Sequence, residues 1–346
     1  MESCLGLPGQ LDSLVKDKYI NAKARGELSF TPTELAVIRL GNVAFQLRYC
    51  PNLAKKPEKP EKPAASPPSG SKKPNPFLHP PGDLLIANVP GSRPSHRLVL
   101  NKYPIIPNHF LLVTTSFKEQ NQLLEADDLA LTLSCLRAWR HGSGGDRREE
   151  RLFAFFNGGE HSGASQSHRH VQFLPVEGMK GPEGSQGWSL LCDTLTYDSG
   201  YTPFLYYRAA LAPDIEPEAL HGTYLSLCKR AGLLGDESTQ NKSYDPRRHN
   251  LPKSYNLALT TSTMVLCPRR QGGAFLDVRE FGEGQETRMV GPINLNGTML
   301  AGSLMVKRQE EWDLLQQDGG RLLEILRAVG YHEDVAMEAK KSDEKL

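Results

Sequence analysis

Residues 152–175 read LFAFFNGGEHSGASQSHRHVQFLP. Phe153, Ala154, Phe155 and Phe156 form an apolar run without polar alternation, the pattern of a buried strand. Asn157 to Ser167 is Gly, Ser and Asn chemistry and predicts a loop. A second strand follows from His168. Because successive Cβ atoms alternate across a strand, His168, His170 and Gln172 share one face, while Arg169, Val171 and Phe173 point to the other. Two imidazoles and an amide are thereby set beside a loop of small residues.

A chain of 346 residues can bury a substantial core, as one large domain or two ordinary ones. Forty-one Lys and Arg against forty Asp and Glu leave no global field favouring nucleic acid or an anionic membrane, so an anionic ligand must be met by local groups. The first fifteen residues lack a basic start and a sustained apolar stretch, and no segment approaches eighteen apolar residues. The expectation is a soluble intracellular protein. Cys4, Cys50, Cys135, Cys192, Cys228 and Cys267 are far apart, which argues against both a disulfide framework and a four-cysteine zinc site.

The spacing of Leu14, Val15, Tyr19 and Ala22 predicts a helix over 12–26. Strands are expected at 43–49, 83–89, 97–101 and 110–115, and a helix from about residue 126 to Arg140. The stretch from Lys55 to Pro68 is too rich in Pro, Lys, Glu and Ser to build a core and reads as a surface loop, with a lid over the site as the alternative. Further on, 203–211 reads as strand, 216–231 as helix, 235–252 as exposed loop, 255–260 and 264–270 as a strand pair, 291–307 as strand and turn, and 310–329 as one helix.

A neutral imidazole is a good nucleophile toward phosphorus near pH 7, provided one ring nitrogen faces the phosphate and the other is held as a donor. Gly158, Gly159 and Gly163 allow close approach, and the amides of Ser162 to Ser167 can cradle phosphate oxygens. Two histidines at strand spacing can instead share a metal ion, with Glu160 and His161 as the only further ligands nearby in the loop. The residues alone leave both readings open.

The segment Asn157-Gly158-Gly159, Ser162-Gly163-Ala164-Ser165 and His168-Arg169-His170-Val171-Gln172 resembles the His-x-His-x-Gln signature of the transferase branch of the histidine-triad superfamily. Within it, the chain is most similar to fungal-type diadenosine tetraphosphate (Ap4A) phosphorylases, also called ATP adenylyltransferases. The stretches 52–57, 100–107, 253–257 and 302–307 carry the same resemblance, which spans roughly residues 12–331. It implies an α+β fold, histidine-triad-like, with a mainly antiparallel sheet, helices packed against it and the active strand near its centre. It implies one nucleotidyltransferase domain over 1–346, with a flexible Pro/Lys-rich insert at 55–76. Residues 1–180 would carry the catalytic strand, residues 181–335 would complete the sheet and site, and residues 338–346 would be a solvated tail.

The resemblance assigns His170 as the nucleophile that takes the adenylyl group, His168 as its support, and Gln172 as a non-titrating contact to a phosphate oxygen. Asn101 matches a ribose contact. Asn157, Gly163, Ala164, Ser165 and Gln166 match the phosphate loop, and Lys56 and Lys307 match lysines that neutralise the leaving polyphosphate. The stretches 58–71 and 272–286 depart from the family pattern as insert-like loops. The implied reaction is Ap4A plus phosphate giving ADP and ATP, reversibly, through an adenylyl-histidine. The implied partners are Ap4A, ATP, ADP, AMP and phosphate, with no nucleic acid and no membrane. The expectation is that no cofactor or metal is tightly held by the protein, and that Mg²⁺ or another divalent ion accompanies the substrate. The expected location is the cytoplasm, with the nucleus as a second compartment. Three alternatives remain: a hexose-1-phosphate nucleotidylyltransferase, a dinucleoside polyphosphate hydrolase, and a nucleotide-binding protein without turnover.

Overall fold

The computed structural model describes residues 5–51, 75–139, 151–181, 187–197, 202–234, 254–279 and 287–332. The expected insert at 55–76, apart from its last two residues, the loop at 235–252 and the tail at 338–346 lie outside them.

An eight-stranded antiparallel sheet forms the body. Its strands are β3 (Leu85–Val89), β4 (His96–Leu100), β5 (Phe110–Thr114), β6 (Leu152–Gly158), β7 (His170–Pro175), β8 (Tyr207–Ala210), β9 (Ser254–Leu259) and β10 (Thr263–Arg269). They lie in the order β3-β4-β5-β7-β6-β9-β10-β8. The sheet draws on both halves of the chain, and β7 lies fourth of eight. The expected α+β architecture with the histidine strand near the centre of a mainly antiparallel sheet is what the chain adopts.

The absence of polar alternation in β6 has a direct cause: both faces of the sheet are covered. Ala154 and Phe156 pack into a core with Leu129, Leu133, Val171, Phe173 and Leu257, whereas Phe153 and Phe155 pack into a second one with Leu174, Ala258, Leu300 and Leu326. Helices α1 (Leu11–Ala24), α2 (Ala126–Ala138) and α5 (Pro217–Arg230) supply the first core. The second is built by the short helices α3 (Val176–Met179) and α4 (Leu191–Tyr197), by α6 (Gln309–Gln317) and α7 (Gly320–Val329), and by a small sheet. That sheet orders β1 (Glu34–Leu40), β2 (Val43–Tyr49) and β13 (Ser303–Val306), with β13 parallel to β2. A separate ribbon joins β11 (Gly273–Arg279) to β12 (Thr287–Asn294).

Three expectations are corrected. The segment 272–286 is not an insert-like loop throughout, because Gly273–Arg279 pairs with β12 as a strand. The helix expected over 310–329 is two helices, since Asp318 turns extended (φ −135°) and its carboxylate accepts from the N–H of Gly320. Finally, regular strand β7 starts at His170; His168 belongs to an isolated bridge with Glu119 just before it.

Candidate active site

The alternation read from the sequence is realised. Phe77 contacts the rings of both His168 and His170, with centroids 5.9 and 5.2 Å apart, so the two imidazoles face one way. Arg169 faces the other way, toward α2. There its Nη1 lies 2.9 Å from Glu125 Oε1 and 3.0 Å from Asp128 Oδ2, and its Nη2 donates to Gln122 Oε1. Burial would raise the Asp128 carboxyl, but the hydrogen bond from His96 Nε2 (2.8 Å) and the Arg169 charge outweigh it and hold the group below its ordinary value. This ion cluster anchors the odd residue between the two histidines to the first core.

The two imidazoles hold opposite tautomers. His170 Nδ1 lies 2.8 Å from the carbonyl of His168, so Nδ1 carries the proton and Nε2 keeps its lone pair. Burial pushes the His170 imidazolium down to about 4; the His168 carbonyl opposes that shift and the neighbouring His168 ring adds to it. The ring is therefore neutral near pH 7. In His168, by contrast, Nε2 donates to Thr114 O at 2.9 Å, and Nδ1 accepts from Asn75 Nδ2 at 3.0 Å. Its pKa is also lowered, chiefly by burial. The support His168 gives to His170 thus runs through its main-chain carbonyl, while its own ring is tied to β5 and Asn75.

Gln172 stands two residues on and is half-buried. Its Oε1 accepts from His109 Nε2 at 3.0 Å, which directs the Gln172 amide N–H groups away from His109. Asn101 reaches the same ring, its Nδ2 lying 3.4 Å from the unprotonated His109 Nδ1, while its Oδ1 accepts from the N–H of Tyr103 at 2.9 Å. Asn101, His109 and Gln172 therefore form one row. Sequence reasoning missed His109, which reads only as a residue of a proline-bounded turn; the signal was its place immediately before β5, which pairs with β7.

Beyond β6, Gly159 (φ 86°) opens a single 3-10 turn over Glu160–Ser162, and Gly163 (φ 82°) closes it. A Cβ on Gly163 would meet Leu295 O at 2.5 Å, so this position requires glycine for space as well as for its dihedral. Gly163, Ser165 and Ser167 are exposed, while Ala164 and Gln166 are half-buried. Asn157 lies beneath them, 1 % exposed. Its Oδ1 accepts from Asn256 Nδ2 (2.9 Å) and from the N–H of Gly297 (2.8 Å), and its Nδ2 has no partner among the described residues. Asn256 in turn donates to Ser162 O and accepts from Arg269 Nη1. Arg269 is 1 % exposed, and its partners are the Asn256 amide, Met299 Sδ and the carbonyls of Gln271, Gly272 and Leu295. Burial lowers its pKa to about 10, which still leaves a cation beneath the loop.

Lys307 stands apart from this cluster. Lys307 follows β13 in the small sheet, where its N–H donates to Glu311 Oε2, and among the described residues no contact joins it to His170. Lys56 lies outside the described residues. The parallel pairing of β13 with β2 sets Tyr49 beside Val306, so the chain leading toward Lys56 leaves the sheet next to Lys307.

The site thus brings together a neutral imidazole, amide donors and a glycine loop over a buried cation, groups whose chemistry suits the binding of phosphate oxygens. Among the described residues, no group of three or more His, Cys, Asp and Glu side chains is placed to hold a metal ion. Residues 2–184 match the Ap4A phosphorylase N-terminal domain model and residues 201–332 the ATP adenylyltransferase C-terminal domain model. The chain belongs to the Ap4A phosphorylase family.

Two yeast proteins (Saccharomyces cerevisiae) are similar along most of their length. Diadenosine 5',5'''-P1,P4-tetraphosphate phosphorylase 2 is 28 % identical over 323 residues, covering 89 % of this chain and 90 % of the relative. Protein APA1 is 26 % identical over 344 residues, covering 94 % and 96 %. The crystal structure of yeast Ap4A phosphorylase Apa2 shares the fold, with a TM-score of 0.69 at 24 % identity over 94 % of this chain and 95 % of that one. The structure of Apa2 in complex with Ap4A gives a TM-score of 0.68, covering 94 % and 98 %.

Proposed function

We propose that this chain is an ATP adenylyltransferase that phosphorolyses Ap4A through a covalent adenylyl-histidine on His170. The observation that carries the reading is the His170 tautomer: Nδ1–H bound to the His168 carbonyl, Nε2 free. Family membership and the Ap4A and AMP complexes of yeast Apa2 support the nucleotide as substrate.

In the first step the Nε2 lone pair attacks the phosphorus bonded to adenosine. A P–N bond forms, the P–O bond to the remaining phosphates breaks, and ATP leaves. In the second, an oxygen of inorganic phosphate attacks the same phosphorus, the P–N bond breaks, ADP forms and the neutral imidazole returns. Charge developing on the phosphate oxygens is met by Asn157 Nδ2, the amides of 163–167 and the Gln172 amide, all neutral donors. Gln172 cannot titrate, so it offers no acid or base to bring water onto the intermediate, and phosphate is the acceptor. Asn101 is assigned to the ribose, and Lys56 with Lys307 to the far phosphates. The histidine-triad kinship rests on the His-x-His-x-Gln strand.

The donors around His170 are imidazoles, amides and main-chain N–H groups, which suit phosphate oxygens and not a hard divalent cation. Mg²⁺ or a similar ion is therefore assigned to the substrate's own oxygens. The substrate also supports a cytoplasmic or nuclear setting; among the described residues no helix is long and apolar enough to cross a membrane.

The reaction is tested by product analysis. Ap4A should be consumed only when phosphate is supplied, giving equal ADP and ATP. AMP formed without phosphate would indicate hydrolysis, and turnover of a UDP-sugar would indicate a hexose-1-phosphate transferase.

A further inference from the structure

Strands β6 and β7 pair directly only as far as Phe155 and Gln172. Two further pairs in the same register would set Asn157 opposite His170, and at that level a side chain stands between the strands. Gln120 Oε1 accepts the N–H of His170 at 2.8 Å, and Gln120 Nε2 donates to the carbonyls of His170 (3.2 Å) and Asn157 (3.0 Å). The main-chain N–H of Gln120 donates to Ser167 O at 2.8 Å, at the end of the glycine loop. Gln120 is 4 % exposed, so these bonds are not shared with water.

A primary amide has the same donor and acceptor pair as a peptide unit, and here it replaces one rung of the ladder. The substitution parts the strands where the loop 159–167 leaves and re-enters the sheet, while the N–H and carbonyl of His170 and the carbonyl of Asn157 each keep a partner. It also ties the nucleophile's main chain to Asn157, whose side chain carries the free donor. We propose that Gln120 is a positioning residue for adenylyl transfer: its amide wedge sets the separation and height of His170 relative to Asn157 and the loop. It touches no reacting atom. The proposal rests on His170 being the nucleophile.

Two variants test it in the full chain, with single-turnover adenylylation and steady-state phosphorolysis of Ap4A as readouts. Gln120→Met keeps the volume and removes the amide. The adenylylation rate and kcat should fall on the order of 10²-fold, the cost of a misplacement of about 1 Å, with KM held within about threefold.

Gln120→Glu adds a titration. An ionised carboxylate still accepts from His170 N–H but faces two carbonyl oxygens with no proton to give, and a neutral carboxyl restores one donor. Burial raises the pKa of that carboxyl. Activity of Gln120→Glu relative to wild type should therefore rise as pH falls from 8 to 5, a range in which His170, with a pKa of about 4, stays neutral. A flat ratio across that range, or Gln120→Met with kcat within about threefold of wild type, would overturn the proposal. Wild-type turnover in the same assays tests the reaction itself. Amide exchange at His170, faster in Gln120→Met at unchanged global stability, reads the wedge independently of turnover; unchanged exchange would count against it.

Discussion

The Nδ1 of His170 lies 2.8 Å from the main-chain carbonyl of His168, so one histidine of the pair sets the tautomer of the other through its backbone. The rings have different duties as a result. The His168 ring spends both nitrogens on Thr114 and Asn75, whereas the His170 ring spends only one. The asymmetry comes from local strand geometry at the start of β7 and from a wall of uncharged groups that keeps the imidazole neutral.

A buried neutral histidine makes stability depend on pH, and its sign is fixed. The folded state holds the His170 proton with a pKa of about 4 against an unfolded value of 6.5, so the unfolded chain binds protons first as pH falls. The penalty is absent above pH 6.5 and grows as pH drops to 4, reaching about 3 kcal/mol. His170→Ala should remove that share: urea unfolding at pH 7 and at pH 4.5 should show a smaller loss for the variant than for wild type.

Phe77 shields both imidazoles, and His170 is 3 % exposed. Replacing it with alanine admits water to the ring and relieves the desolvation that lowers its pKa. The acid limb of the adenylylation rate in Phe77→Ala should therefore move up from about pH 4 toward 6.5, measured by single-turnover kinetics over pH 4–8.

Arg169 is 1 % exposed and pairs with Glu125 and with Asp128, itself 2 % exposed. Arg169→Met would leave a buried carboxylate without its cation, which costs about 3–5 kcal/mol. Denaturation midpoints should show this loss at pH 7, where the carboxylates are ionised, and a smaller one near pH 4.

Asn157→Asp keeps both acceptor bonds, to Asn256 and Gly297, and exchanges the unpartnered amide nitrogen for oxygen. The variant presents acceptors where a phosphate needs a donor. Its KM for Ap4A should rise about tenfold or more, the equivalent of one charge-assisted hydrogen bond. An unchanged KM would remove Asn157 from the phosphate site.

Much of the fold was legible in the chain itself. The apolar run at Phe153–Phe156 correctly implied a buried strand, and alternation placed Arg169 opposite the histidines. The residues that finish the site were not legible, because each is joined to it by long-range contact with no local pattern. Gln120 lies 50 residues from His170, Asn75 lies 93 from His168, and Arg269 reaches the loop through Asn256. The strand β11 was hidden by the glycine that starts it, Gly273, and by a register shift between Ala274 and Leu276, both of which blur a period of two. The break at Asp318 was hidden because the apolar spacing of Trp312, Leu315, Leu322 and Leu326 runs on across it.

The central claim is that His170 Nε2 carries the adenylyl group. Incubation with Ap4A labelled in the phosphates next to adenosine, without inorganic phosphate, followed by rapid acid-free denaturation and peptide mapping, should place the label on His170 as an acid-labile, base-stable adduct. The label should be lost from His170→Ala, kept in part in His168→Ala, and released as labelled ADP on adding phosphate. Equal labelling of the His170→Ala protein would contradict the account.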